Sequence, residues 1–164
     1  MALPRDSSFD EECMRLAIRA SEQALEAGNM PFGATLARGG AVLHVAQNHQ
    51  LTGADLMAHA EVELVREVSA RHGADALRGT TVYASGEPCA MCSGTMFWAG
   101  VTRVVFAATQ DDIIAALGGA ALPIRTVAVL AEATPAVLVE GDEQQRSAAV
   151  AVLQRFAQHA KGRT

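Results

Sequence analysis

The stretch TTVYASGEPCAMCSGTMFWAGVTRVVFA, residues 80–107, puts a run of strand formers, a short helix and a second strand in succession. Thr80–Ser85 is rich in Thr, Val and Tyr, as strands are. Residues 89–99 read as a helix entered through Pro88, whose fixed φ suits the first helical turn. Val101–Ala107 reads as the next strand. Working back toward the N-terminus, His59–His72 has helical apolar spacing at Val62, Val65 and Val68 and stops at Gly73. Two β-like runs precede it, one within Phe32–Ala37 and one within Ala41–Ala46, joined as a hairpin by Arg38-Gly39-Gly40. Residues 9–27 place Met14, Ala17, Ile18, Ser21 and Leu25 on one side of a helix. Asp10, Glu11 and Glu12 complement its macrodipole, and Gly28-Asn29 closes it. The order helix, hairpin, helix, strand, helix, strand implies an α/β fold with crossover helices on a mixed sheet.

Downstream the pattern is looser. Ile113–Leu122 is Ala/Gly-rich and reads as a short helix plus loop. Pro123–Thr134 reads as a short helix, although TVAVLA suits a strand equally well. Ala136–Glu140 reads as a strand, and Ser147–His159 as a terminal helix with Val150, Leu153, Phe156 and Ala157 on one face. No repeat, linker or domain boundary interrupts the chain. The expectation is one domain over 1–164, with a motif-bearing core at about 9–110 and a C-terminal region at 111–164.

Half of the 164 residues are hydrophobic and only 4% aromatic, so the core is expected to be built of aliphatic layers. The formal net charge of −5 argues against nucleic acid as an obligate partner, which usually demands a basic face. Three cysteines are too few for a disulfide scaffold. The segment MALPRDSSFDEE turns acidic where a signal peptide would be apolar, and no apolar run approaches a membrane span. A soluble, cytoplasmic protein with no membrane partner is expected. In a reducing compartment, Cys-x-x-Cys is a metal or redox site before it is a staple.

Two motifs carry chemistry: His59-Ala60-Glu61 and Pro88-Cys89-Ala90-Met91-Cys92. Each opens an expected helix, so both can point into one crevice. Alone, Cys89 and Cys92 fit a thioredoxin-like redox pair or half of a structural zinc site. The redox reading gives His59 and Glu61 nothing to do. A closed structural site needs a fourth ligand, and Cys13 lies within an amphipathic helix where a free cysteine packs as a small hydrophobe. His59, Cys89 and Cys92 together make three ligands, which leaves a fourth position for water, as in catalytic zinc sites. Glu61 lies on the same helical turn as His59 and is placed to carry a proton. Of the other histidines, His44 reads as structural within a strand and His49 as a solvent-facing neighbour.

The motif pair resembles the signature of the cytidine and nucleobase deaminase superfamily. The likeness covers about residues 9–110. Asn29-Met30-Pro31-Phe32-Gly33-Ala34, Asn48, HAE, EPCAMCSGTMFWAG and RVVFAA resemble the bacterial guanine deaminases and, nearly as well, the tRNA adenosine deaminases. The resemblance implies a three-layer α-β-α cytidine-deaminase-like fold with a central mixed five-stranded sheet flanked by helices. It implies one Zn2+ per subunit on His59, Cys89 and Cys92, with Glu61 as proton shuttle, and a homodimer. It also implies that Asn48 bonds the base, that the Ala60 N–H reads a ring carbonyl, and that Phe32, Pro88 and Trp98 line the pocket. On composition alone, Asn48 suits a turn and Trp98 suits core packing.

The substrate implied is a small free nucleobase or related amino-heterocycle. Guanine is the leading single choice, with isocytosine, cytosine, another aminopurine and an aminotriazine open. The acidic segment that guanine deaminases close over the base is replaced here by Ala115–Ala120, with Asp111 and Asp112 lying earlier and given no role. A tRNA adenosine deaminase is the second reading. It sits poorly with the few terminal basic residues (Arg155, Lys161, Arg163) and with Thr52–Met57 where Asp-Pro-Thr is expected. A non-enzymatic zinc-binding or redox module is the third.

Overall fold

A computed structural model describes residues 7–122 and 124–162. Residues 1–6, Pro123 and Arg163 of the sequence reading lie outside the described residues. The elements in order are α1 (Ser7–Glu26), β1 (Gly33–Arg38), β2 (Ala41–Gln47), α2 (Ala60–His72), β3 (Thr81–Gly86), α3 (Ala90–Ala99), β4 (Arg103–Ala108), α4 (Gln110–Leu117), α5 (Thr126–Val129), β5 (Leu138–Gly141) and α6 (Arg146–Lys161). A 3₁₀ turn at Ala74–Leu77 separates α2 from β3.

The strands form one five-stranded sheet in the order β2-β1-β3-β4-β5. β1 pairs antiparallel with both β2 and β3, and β4 runs parallel to β3 and β5. Gly39 and Gly40 have φ of 60° and 77°, the left-handed pair that a two-residue hairpin turn requires between Arg38 and Ala41.

Side chains alternate along each strand and so divide the core into two layers. Ala34, Leu36, Val82 and Val104 join Leu64 and Val68 of α2 and Met96 of α3 on one face. Ala37, Tyr83, Val105 and Ala107 join Met14, Ala17 and Ile18 of α1 and Val152 and Leu153 of α6 on the other. The result is a three-layer α-β-α arrangement around a mixed sheet.

Close approach of α1 to β1 depends on Gly33. A Cβ there would sit 2.2 Å from the Ala17 carbonyl oxygen and 2.6 Å from the Ser21 nitrogen. The face of α1 expected from the sequence (Met14, Ala17, Ile18, Ser21, Leu25) is the buried one.

One local reading changes, and two are sharpened. Pro88 precedes the N-cap Cys89 instead of occupying the first turn of α3, because the Cys89 backbone is extended. The ambiguous TVAVLA stretch holds the four-residue helix α5, not a strand. On α6 Leu153 of the expected face is buried, Val150 and Phe156 pack half-buried against the same layer, and Ala149 and Val152 complete it. Among the described residues no helix is long and apolar enough to cross a membrane.

Candidate active site

Helices α2 and α3 begin side by side, and their N-caps are His59 and Cys89. Neither cap uses its side chain on its own helix, which leaves the imidazole and the thiol to face one another. His59 Nδ1 lies 3.8 Å from Cys89 Sγ and 3.5 Å from Cys92 Sγ. Tetrahedral zinc with Zn–S of about 2.3 Å and Zn–N of about 2.0–2.1 Å sets neighbouring N and S donors about 3.6 Å apart. The donor set and its spacing therefore fit a zinc ion. The positive ends of two helix dipoles also converge here, which favours thiolates.

Proton affinities in the trio are strongly coupled. The Cys89 thiol is pulled down to about 4, first by its hydrogen bond with Cys92, while burial opposes the shift. Cys92 is pushed up, because it donates that bond and is buried. His59 is raised by its bond to Cys89. Glu61 is raised above the usual carboxylate range, chiefly because its side chain is buried. A metal ion taking this site would displace the remaining thiol proton.

His59, Glu61 and Cys89 open onto a cavity of about 390 Å³, with Phe32 and Gly86 on its wall. Ile113, Ile114 and Leu117 of α4 and the following Gly118–Leu122 loop form an apolar roof. The loop after β2 contributes Gln50, Leu51 and Leu56. A larger hollow of about 430 Å³ between α4 and α6 has a single carboxylate, Asp112, already bonded to Arg146.

The structure distributes the expected site residues unevenly. His59, Glu61, Cys89 and Phe32 line the cavity, and Cys92 is buried beside them. Asn48 is fully buried but performs a turn: its Oδ1 accepts from Gln50 N at 2.9 Å, and its Nδ2 donates to Gln50 Oε1 at 2.7 Å. Gln50, not Asn48, reaches the cavity wall. Ala60 is buried as the first residue of α2, where helix amides lack intrahelical partners. Pro88 does not line the cavity; its carbonyl accepts from Thr126 Oγ1 at 2.7 Å. Trp98 is neither pocket wall nor core. It is 85% exposed, edge-on to Phe97 with ring centroids 5.1 Å apart, because α3 turns that face outward.

Sequence reasoning missed Glu87. This buried carboxylate accepts from Gln110 N at 2.9 Å and Thr126 N at 3.2 Å, and pairs with Arg125 at 3.3 Å. It thereby ties α4 and α5 to the Pro-Cys loop that follows it. A charge immediately before Pro88 was the available signal, since such a group, once buried, must find several donors. Asp112 is structural as well, forming the capping box of α4 with Thr109. Asp111 pairs with Arg125.

Residues 7–108 match the family model described as the cytidine and deoxycytidylate deaminase zinc-binding region. Among curated proteins, the chain is 36% identical over 103 residues to a guanine deaminase of Bacillus subtilis, 62% of this chain and 66% of that one. It is 37% identical over 99 residues to the tRNA-specific adenosine deaminase of the same organism, 60% of this chain and 62% of that one. A probable cytosine deaminase of Schizosaccharomyces pombe is 32% identical over 108 residues, 66% of this chain and 65% of that one. The chain thus spans just under two thirds of the length of these relatives. Among solved structures, that of NE0047 in complex with 2,6-diaminopurine superposes with a TM-score of 0.79 at 25% identity, covering 95% of this chain and 85% of that one.

Proposed function

Because this chain belongs to the cytidine and deoxycytidylate deaminase zinc-binding family, we propose that it hydrolyses the exocyclic C–N bond of a small free amino-heterocycle. The products are ammonia and the ring carbonyl. The observation that carries this reading is the buried Glu61 carboxyl on the cavity wall beside the His59, Cys89 and Cys92 donor set.

In this proposal His59, Cys89 and Cys92 hold one zinc ion. Zinc, when bound, supplies the Lewis acidity that makes water a competent nucleophile near neutral pH. Glu61 takes one proton from the attacking water and delivers it to a ring nitrogen. It then takes the second water proton, from the hydroxyl now bonded to carbon, and delivers it to the departing amine, which leaves as ammonia with the ring carbonyl behind. A carboxyl whose proton affinity is raised by burial is suited to both halves of that transfer. Phe32 and the α4 roof bury the ring and exclude bulk water.

Guanine or a related aminopurine is the substrate we favour. The large overlap with a structure whose ligand is 2,6-diaminopurine supports it. A polynucleotide substrate would require basic groups around the mouth. Among the described residues that line the cavity there is no Lys or Arg. A homodimer belongs to the same proposal.

The test is an ammonia-release screen over free purines, pyrimidines and aminotriazines, their nucleosides, and an anticodon stem-loop. Turnover of a free base, lost in Glu61→Ala while zinc is retained, is expected. Activity on the stem-loop alone would establish the RNA-editing alternative instead.

A further inference from the structure

A second cluster of metal-binding side chains lies on the flank of α2 that faces β2. His49 Nδ1 approaches Glu63 Oε2 at 3.5 Å. The donor atoms of His49, Glu63 and Glu67 all fall within 4.8 Å of one another. His44, on β2, bonds the Glu67 carboxylate through Nε2. These groups are half-buried: His44 and Glu63 keep only 15% and 16% of their side-chain surface.

The cluster is separate from the site already described. Glu61 and Glu63 differ by two residues, which is about 200° around a helix. Glu63 and Glu67 are four apart and share one face, pointing away from the cavity side. Two carboxylates at that spacing repel each other on an isolated helix. Arg66 offsets part of that charge, bonding Glu63 at 3.0 Å, but it is shared with Asp55 at 2.8 Å. One imidazole and two carboxylates make a mixed nitrogen and oxygen donor set, which suits zinc-class divalent ions, and His44 holds the Glu67 carboxylate from behind.

We propose that His49, Glu63 and Glu67 bind a second divalent transition-metal ion, with His44 positioning the Glu67 carboxylate. Its place in the fold gives it a consequence for the cavity. His49 belongs to the loop that carries Gln50, Leu51 and Leu56 to the cavity wall. An ion joining His49 to Glu63 and Glu67 fastens that loop to α2.

Cobalt(II) titration of the full-length, metal-stripped protein tests this. Thiolate ligands give intense near-ultraviolet charge-transfer bands, whereas nitrogen and oxygen ligands give only weak visible bands. The expected record is an equivalent with charge-transfer bands and a further equivalent without them. His44→Gln is expected to weaken the further equivalent by about 10–100-fold, and His49→Gln by at least as much, while the charge-transfer bands persist. Glu67→Gln, which keeps the shape of the side chain, provides a second variant if a histidine change impairs folding, checked by thermal melting. Saturation without the further equivalent would overturn the proposal, as would its survival in all three variants. Absence of the charge-transfer bands alone would instead overturn the zinc site of the deaminase reading.

Discussion

The stretch from α1 to β4 and the stretch from α4 to α6 are held together by different forces. The first buries two apolar layers against four strands, and its two key helix starts are fixed by that packing. The second contributes the short edge strand β5, whose residues are half-buried or exposed, and α4, which has no fully buried residue. Its α6 buries Ala149, Val152 and Leu153 in the α1 layer, but α4 and α5 are fastened by polar anchors: Glu87 to Gln110, Arg125 and Thr126, and Asp112 to Arg146. The contrast teaches how the molecule divides its labour. The groups proposed to perform chemistry sit at helix starts on the packed layers. The roof of the cavity hangs from a few hydrogen bonds and ion pairs, apart from the His59, Cys89 and Cys92 donor set.

The largest expected effect breaks the chemistry while sparing both regions. Glu61→Gln should lower turnover by about 10²–10⁴, with zinc content unchanged by elemental analysis. Activity close to wild type would remove the proton shuttle. Next, Gly33→Ala should cost about 2–4 kcal/mol, because its Cβ meets the backbone of α1 and neither partner can yield. Urea denaturation measures it; a cost below that range would mean that the first region is more plastic than its packing suggests.

Asp112→Ala should cost less, about 1–2 kcal/mol for a lost cap and ion pair, and should raise KM through the roof more than it lowers kcat. The Asp112 carboxyl is held down to about 2 by Arg146. Its contribution is therefore complete above about pH 4 and disappears as pH falls to about 2. Melting curves of wild type and variant should converge across that window. The smallest effect belongs to Trp98→Ala, within about 0.5 kcal/mol for an exposed side chain. A large change in KM would return Trp98 to the pocket.

Most of the first region was legible in the sequence because its burial is periodic. Met14, Ala17 and Ile18 repeat at helical spacing, and the HAE and PCxxC motifs each sit where an element begins. The second region was less legible for a physical reason. Residues 115–122 have no apolar period to detect, since α4 is covered on one side only and the loop after it is exposed. Glu87 was overlooked because its role depends on donors more than twenty residues away in sequence. Asn48 and Trp98 show the limit of likeness at single positions. The buried amide of Asn48 satisfies the neighbouring Gln50, and the indole of Trp98 faces outward. His49, read as a solvent-facing neighbour, meets Glu63 because the loop folds back on α2.

Extended X-ray absorption at the zinc edge, on protein loaded with a single equivalent, tests the central claim most directly. The account predicts a shell of two sulfur and two lighter donors, one of the latter being exchangeable water, with the sulfur signal lost in Cys89→Ser/Cys92→Ser. A shell closed by a fourth side chain, or one without sulfur, would contradict a catalytic metal centre built from His59, Cys89 and Cys92.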